Sequence, residues 1–188
     1  MKIMVLDNYD SFTYNLVHYM EKVSAFKIDV FTNDSITIDQ ASKYEKILLS
    51  PGPGLPSESG IMPELILKLR DSKDILGICL GLQAIVESFE GKLLNSEKVF
   101  HGLALPVNVL QDDLIFKNIP HKFLAGRYHS WVADRNTFPD ELIITAEDDE
   151  KFIMAIAHKK LKLRAVQFHP ESILSEYGEK IISNWIHS

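Results

Sequence analysis

Ile75-Leu76-Gly77-Ile78-Cys79-Leu80-Gly81-Leu82-Gln83 is the stretch on which the fold turns. Four apolar residues read as a buried strand, and the segment Gln83–Phe89 reads as the helix that follows it. Between them Cys79 has a glycine two residues away on either side. A tight strand-to-helix turn forces its middle residue into a strained backbone, and side chains beside it would collide. Such a turn lifts the sulfur above the sheet and sets it at a helix N-terminus. That end favours the thiolate, the reactive form. A lone cysteine is otherwise a small buried hydrophobe; the paired glycines turn the reading toward a nucleophile.

Working outward, strand and helix patterns alternate through the first half. Ile3–Leu6, Ile28–Phe31 and Ile47–Leu49 read as buried strands. Phe12–Val23 has helical spacing, with Phe12, Leu16, Tyr19 and Val23 on one face, and Pro63–Leu69 reads as a helix with proline in its first turn. The pattern predicts an α/β fold with an open, mostly parallel sheet and helices on both faces. In the second half Val99–Leu110, Lys122–Ala133, Glu141–Ala146, Phe152–His158 and Leu163–Phe168 read as strands joined by short turns, extending the sheet antiparallel. A last helix, Glu176–Ile186, turns Ile181, Ile182 and Trp185 inward. No repeat or linker divides the 188 residues, so one domain over 1–188 is expected.

Net charge is −6, which excludes a nucleic-acid surface built on bulk positive charge. No run approaches the ~18 apolar residues of a membrane span. One cysteine permits no intrachain disulfide and suits a reducing compartment. The N-terminal apolar run is too short for a signal peptide, and the expectation is a cytoplasmic enzyme. No zinc spacing, Walker A loop or dinucleotide fingerprint is present, so neither metal nor cofactor is expected.

Ligands on such sheets sit beyond the carboxyl ends of the strands, which selects the residues after Leu6, Leu49, Ile78 and Phe168. His169-Pro170-Glu171 follows the last of these. Residues two apart in an extended segment point the same way, and Pro170 keeps the segment extended. Glu171 can then orient one imidazole nitrogen of His169 while the other serves Cys79 as general base. Ser50-Pro51-Gly52-Pro53-Gly54 is a stiff, glycine-bearing loop of the kind that can build an oxyanion hole from main chain; taken alone, Pro-Gly pairs are most often only turns.

With these segments in view, the sequence resembles the class I, or triad, glutamine amidotransferases, and within them the small subunits of anthranilate synthase and aminodeoxychorismate synthase. The resemblance runs over nearly the whole chain. It is carried in order by Asp7-Asn8-Tyr9-Asp10-Ser11-Phe12-Thr13-Tyr14-Asn15-Leu16, Ser50–Gly54, Gly77–Gln83, Arg127-Tyr128-His129-Ser130 and Gln167-Phe168-His169-Pro170-Glu171-Ser172. Leu82 stands where many relatives carry histidine and Asp74 where many carry proline, so altered tuning rather than lost activity is expected.

The resemblance implies a flavodoxin-like sheet and a Cys79, His169 and Glu171 triad. It makes the backbone N–H groups of Gly52 and Leu80 the oxyanion donors. Gly54, Gln83, Ser130 and the backbone of Trp131 would grip the glutamine α-amino and α-carboxylate groups. Ammonia would pass to a chorismate-using synthase large subunit, either anthranilate synthase component I or aminodeoxychorismate synthase component I, with the weight of resemblance toward anthranilate. Two other classes compete: a catalytically silent partner-binding relative, which would be free to lose a triad member, and a cysteine hydrolase or peptidase. Gln83 and the Pro-Gly-Pro-Gly loop favour amide transfer from glutamine.

Overall fold

The computed structural model describes residues 1–96 and 98–188. In chain order the regular elements are β1 (Lys2–Asp7), α1 (Thr13–Val23), β2 (Lys27–Thr32), α2 (Ile38–Ala41), β3 (Lys46–Leu49), α3 (Met62–Leu69), β4 (Asp74–Ile78) and α4 (Leu80–Ser88). They continue as β5 (Leu93–Asn95), β6 (Leu103–Val109), β7 (Lys122–Arg127), β8 (Trp131–Ala133), β9 (Leu142–Glu147), β10 (Ile153–His158), β11 (Leu163–Val166) and α5 (Gly178–Ile186). A nine-stranded sheet in the order β2-β1-β3-β4-β11-β10-β9-β6-β7 runs through the molecule. Its first five strands are parallel; β10, β9, β6 and β7 extend it antiparallel. The start of this order, 2-1-3-4, is the flavodoxin-like one, and it reverses beside β1 and β3.

Strand alternation builds the two layers. Ile3, Val5, Leu48, Leu76 and Ile78 face a core shared with α1 and α5. Met4, Leu6, Ile47, Leu49 and Ile75 face the opposite core, closed by α3 and α4. Because both faces are covered, β3 and β4 are buried along their whole length. Below β3 and β4, the buried Lys46 ammonium donates to Asp74 Oδ2 at 2.6 Å and to the Trp185 carbonyl at 2.8 Å. Trp185 Nε1 donates to Asp74 Oδ1 at 2.8 Å. Asp74 thus ties α5 to the sheet, and a proline there could make neither bond.

Several expectations are corrected in detail. The buried face of α1 is Thr13, Leu16, Val17 and Met20, because Phe12 lies one residue outside the helix and is exposed. Strand β2 is only half-buried, being the edge of the sheet. The first turn of α4 starts at Leu80, not Gln83. The expected strand 122–133 breaks at Tyr128; its end, β8, leaves the main sheet and pairs antiparallel with β5. The expected strand from Val99 begins only at Leu103, since the Phe100 N–H is turned onto the His129 carbonyl. Strand β11 stops at Val166, after which the His169 N–H bonds the Gly126 carbonyl across an isolated bridge. Glu176 precedes α5 because its main chain and carboxylate are engaged with Leu124 of β7.

Candidate active site

The turn from β4 into α4 has the strain its glycines foreshadow. Cys79 sits at φ 51°, ψ −97°, a left-handed backbone for a residue with a side chain. A Cβ on Gly77 would lie 2.6 Å from the Gly81 carbonyl carbon, and one on Gly81 would lie 2.9 Å from the Leu49 carbonyl oxygen. Both glycines are therefore required by close approach. Cys79 is nearly buried, its N–H is fixed by the Val166 carbonyl at 2.8 Å, and it stands at the N-terminus of α4.

Three other strand ends converge on this sulfur. After β3, the loop carrying Gly52 and Gly54 forms one wall, with Gly54 at φ +77°. Between β7 and β8, residues Tyr128 to Trp131 form the opposite wall. With Leu80 and Gln83 of α4 they enclose a cleft of about 300 Å³ that contains Cys79, Gly52, Gly54, Ser130 and Trp131. Gln83 Nε2 donates to the Trp131 carbonyl at 2.9 Å, tying helix to wall. After β11, His169 Nδ1 lies 2.6 Å from Glu171 Oε1, with both side chains buried. His169 Nε2, also buried, has no hydrogen-bond partner among the described residues.

The electrostatics of His169 are set by opposing causes. Burial disfavours the imidazolium, but the nearby Cys79 sulfur, followed by the Glu171 carboxylate, outweighs it and holds the pKa well above the ordinary histidine range. A cysteine–imidazolium pair oriented by a buried carboxylate can attack an electrophilic carbonyl and return a proton to the leaving group. Among the described residues no group of three or more histidine, cysteine, aspartate or glutamate side chains is arranged to hold a metal ion.

All of the expected site residues thus come together at the carboxyl end of the sheet. Two neighbours carry no role in the sequence reading. Gln167 is fully buried and its Nε2 lies 3.5 Å from Cys79 Sγ; the same two-residue alternation that pairs His169 with Glu171 points it the same way. His129 lines the cleft with both ring nitrogens unpartnered among the described residues, and burial, with Arg127 and His169 nearby, pushes its pKa down to about 3. Position in the Arg127–Ser130 segment is the only sequence signal that separates it from the other histidines. Leu82, the position set apart in the sequence reading, is fully buried in the α3–α4 core.

Residues 4–188 match the family described as glutamine amidotransferase class-I, and the chain belongs to that family. Among its curated relatives, anthranilate synthase component 2 of Cyanophora paradoxa is 43% identical over 98% of this chain and 98% of its own. Anthranilate synthase beta subunit 2, chloroplastic, of Oryza sativa subsp. japonica is 45% identical over 98% of this chain and 70% of its own. The solved glutamine amidotransferase of Thermotoga maritima superposes with a TM-score of 0.79 over 91% of this chain and 76% of its own; at 14% identity it speaks for the fold alone.

Proposed function

We propose that this chain is the glutaminase subunit of an anthranilate synthase, with Cys79, His169 and Glu171 as its catalytic triad. The carrying observation is the convergence of a strained cysteine elbow, the buried His169–Glu171 pair and a cleft of amino-acid size. The identities to anthranilate synthase subunits support the choice of pathway.

Cys79 Sγ attacks the side-chain carbonyl carbon of glutamine, and the carbonyl electrons move onto oxygen. The N–H groups of Gly52 and Leu80 meet that oxyanion. Because the charge appears only in the transition state, one such donor is worth about 3–4 kcal/mol there. His169 gives its proton to the amide nitrogen, which leaves as ammonia. It then takes a proton from water as the water attacks the glutamyl thioester, releasing glutamate and restoring the thiol. Glu171 holds the imidazole in the orientation both steps require. Gln83, Gly54, Ser130 and Trp131 hold the α-amino and α-carboxylate ends.

The ammonia acceptor is supplied by a second chain, a chorismate-using synthase subunit in the cytoplasm. Tyr9, Phe12, Tyr14 and Ile173 are exposed, and they follow β1 and the His169–Glu171 segment at the same end of the sheet. They offer that subunit an apolar landing. The test is reconstitution with the synthase. Cys79→Ser should remove glutamine-supported product and spare product made from added ammonia. A wild-type glutamine-supported rate in Cys79→Ser would sink the assignment, and aminodeoxychorismate as product would move the subunit to 4-aminobenzoate synthesis.

A further inference from the structure

We propose that Asn8 is a positioning residue for the oxyanion donor: its side chain fixes the loop that carries Gly52 and is itself fixed by Asn33. The inference rests on the reading of Gly52 as a donor.

Asn8 follows β1 and is almost fully buried although polar. Its N–H donates to Ser50 Oγ at 2.9 Å, and its Nδ2 donates to the Ser50 carbonyl at 2.9 Å. Its Oδ1 accepts from Asn33 Nδ2 at 3.0 Å. The Ser50 carbonyl can only accept, so the amide is oriented by its partners rather than by choice. Asn33 is anchored in turn: its N–H bonds the Asp7 carbonyl and its carbonyl accepts from the Ile61 N–H, both at 3.0 Å. Three strand ends, those of β1, β2 and β3, are thereby tied together by two asparagines.

The tie ends on Gly52. A Cβ there would lie 2.5 Å from Asn8 Cβ, 2.6 Å from the Asn8 carbonyl oxygen and 3.2 Å from Leu80 Cδ2. Gly52 is thus wedged between Asn8 and Leu80, the residue that carries the second expected donor. Its loop has few other anchors, since Pro51 and Pro53 have no N–H to give. The Gly52 N–H itself makes no hydrogen bond among the described residues. A donor that is free, on a loop anchored mainly at Ser50, takes its position from whatever the loop leans on. Asn8 is that support.

A displaced oxyanion donor costs transition-state binding and leaves ground-state binding alone. The experiment measures kcat and KM for glutamine in the reconstituted complex, with the iodoacetamide alkylation rate of Cys79 and ammonia-supported synthesis alongside. Asn8→Asp keeps the shape and the acceptor toward Asn33 but sets an oxygen against the Ser50 carbonyl. It should lower kcat about tenfold or more while KM stays within about threefold, because one oxyanion donor governs at least that factor. Alkylation and ammonia-supported synthesis should stay at the parent values. Asn33→Ala should give the same pattern with a smaller fall, and it provides the measurement if Asn8→Asp does not fold. A parent-like kcat in whichever variant folds overturns the proposal. So does a raised KM at constant kcat, which would place Asn8 in the substrate grip. Glutaminase activity surviving in Cys79→Ser would instead refute the triad, separately from any result at Asn8.

Discussion

Acid should weaken this protein through His129, and removing that ring should remove the effect. The imidazole is buried against the Phe100 ring at 5.2 Å between centroids, with Arg127 and His169 as its charged neighbours. Burial comes first among the causes that lower its pKa from 6.5 to about 3, and Arg127 and His169 add to it. The unfolded chain takes up this proton as pH falls through 6.5, whereas the folded chain declines it until about 3. The stability contribution is therefore present above 6.5 and is lost as pH falls below it, at about 1.4 kcal/mol per pH unit. At pH 5 the loss amounts to about 2 kcal/mol. His169 has the opposite shift, so its contribution is complete below 6.5 and is lost progressively as pH rises from 6.5 through its elevated value; it is common to all the proteins compared. The assay is urea unfolding at pH 7, 6 and 5 for the parent and for His129→Gln and His129→Phe. Absolute stabilities will differ; only the slopes are compared. The parent should lose about 2 kcal/mol more than either variant between pH 7 and 5. Parallel slopes in all three proteins would refute a neutral buried imidazole at this position.

Asp74→Ala should cost about 3–5 kcal/mol in chemical denaturation, because it strands the buried Lys46 ammonium and frees the Trp185 indole; a change below about 1 kcal/mol would show that the pair is not buried in solution. Gly81→Ala should abolish activity or folding, since its Cβ meets the Leu49 main chain, and a fully active variant would mean the elbow relaxes freely. An electrophilic analogue of glutamine should label the chain once, at Cys79, in peptide mapping of the reconstituted complex; label on a histidine would contradict the nucleophile. Glu171→Gln should lower kcat for glutamine at least about tenfold by loosening the orientation of His169, with ammonia-supported synthesis intact; an unchanged kcat would remove Glu171 from the triad.

The parallel half of the fold is legible because its inner strands are buried on both faces. Ile47–Leu49 and Ile75–Ile78 are short unbroken apolar runs, a signal that survives without any knowledge of partners. The antiparallel half was legible in number but not in path. Residues 122–133 hold strand formers on both sides of the break, Phe123 before it and Trp131 and Val132 after it, with no proline between, so nothing local marks Tyr128 as the point where the chain leaves one sheet for another. That departure is a tertiary event, made when β5 offers Trp131–Ala133 an alternative partner. The buried face of α1 escapes a local reading for a similar reason. Phe12 is the most apolar residue near its start, yet it lies outside the helix, and the small Thr13 takes the buried position.

The site divides along the same line. Cys79 and the His169–Glu171 pair announce themselves because their chemistry is written into adjacent residues: flanking glycines in one case, and spacing across a proline in the other. Gln167, His129 and Asn8 do not, because each is defined by what lies across space from it. Gln167 is 88 residues from the sulfur it approaches, and Asn8 is 42 residues from the serine it holds. A sheet whose strands are out of sequence order brings such residues together at its carboxyl end, and it does so without leaving a local pattern. The members of the expected triad can therefore be read along the chain, whereas the groups packed against them have to be read across it. On the proposed role of Asn8, the polar ties between β1, β2 and β3 govern the rate, at the end of the sheet where Tyr9 and Phe12 are exposed.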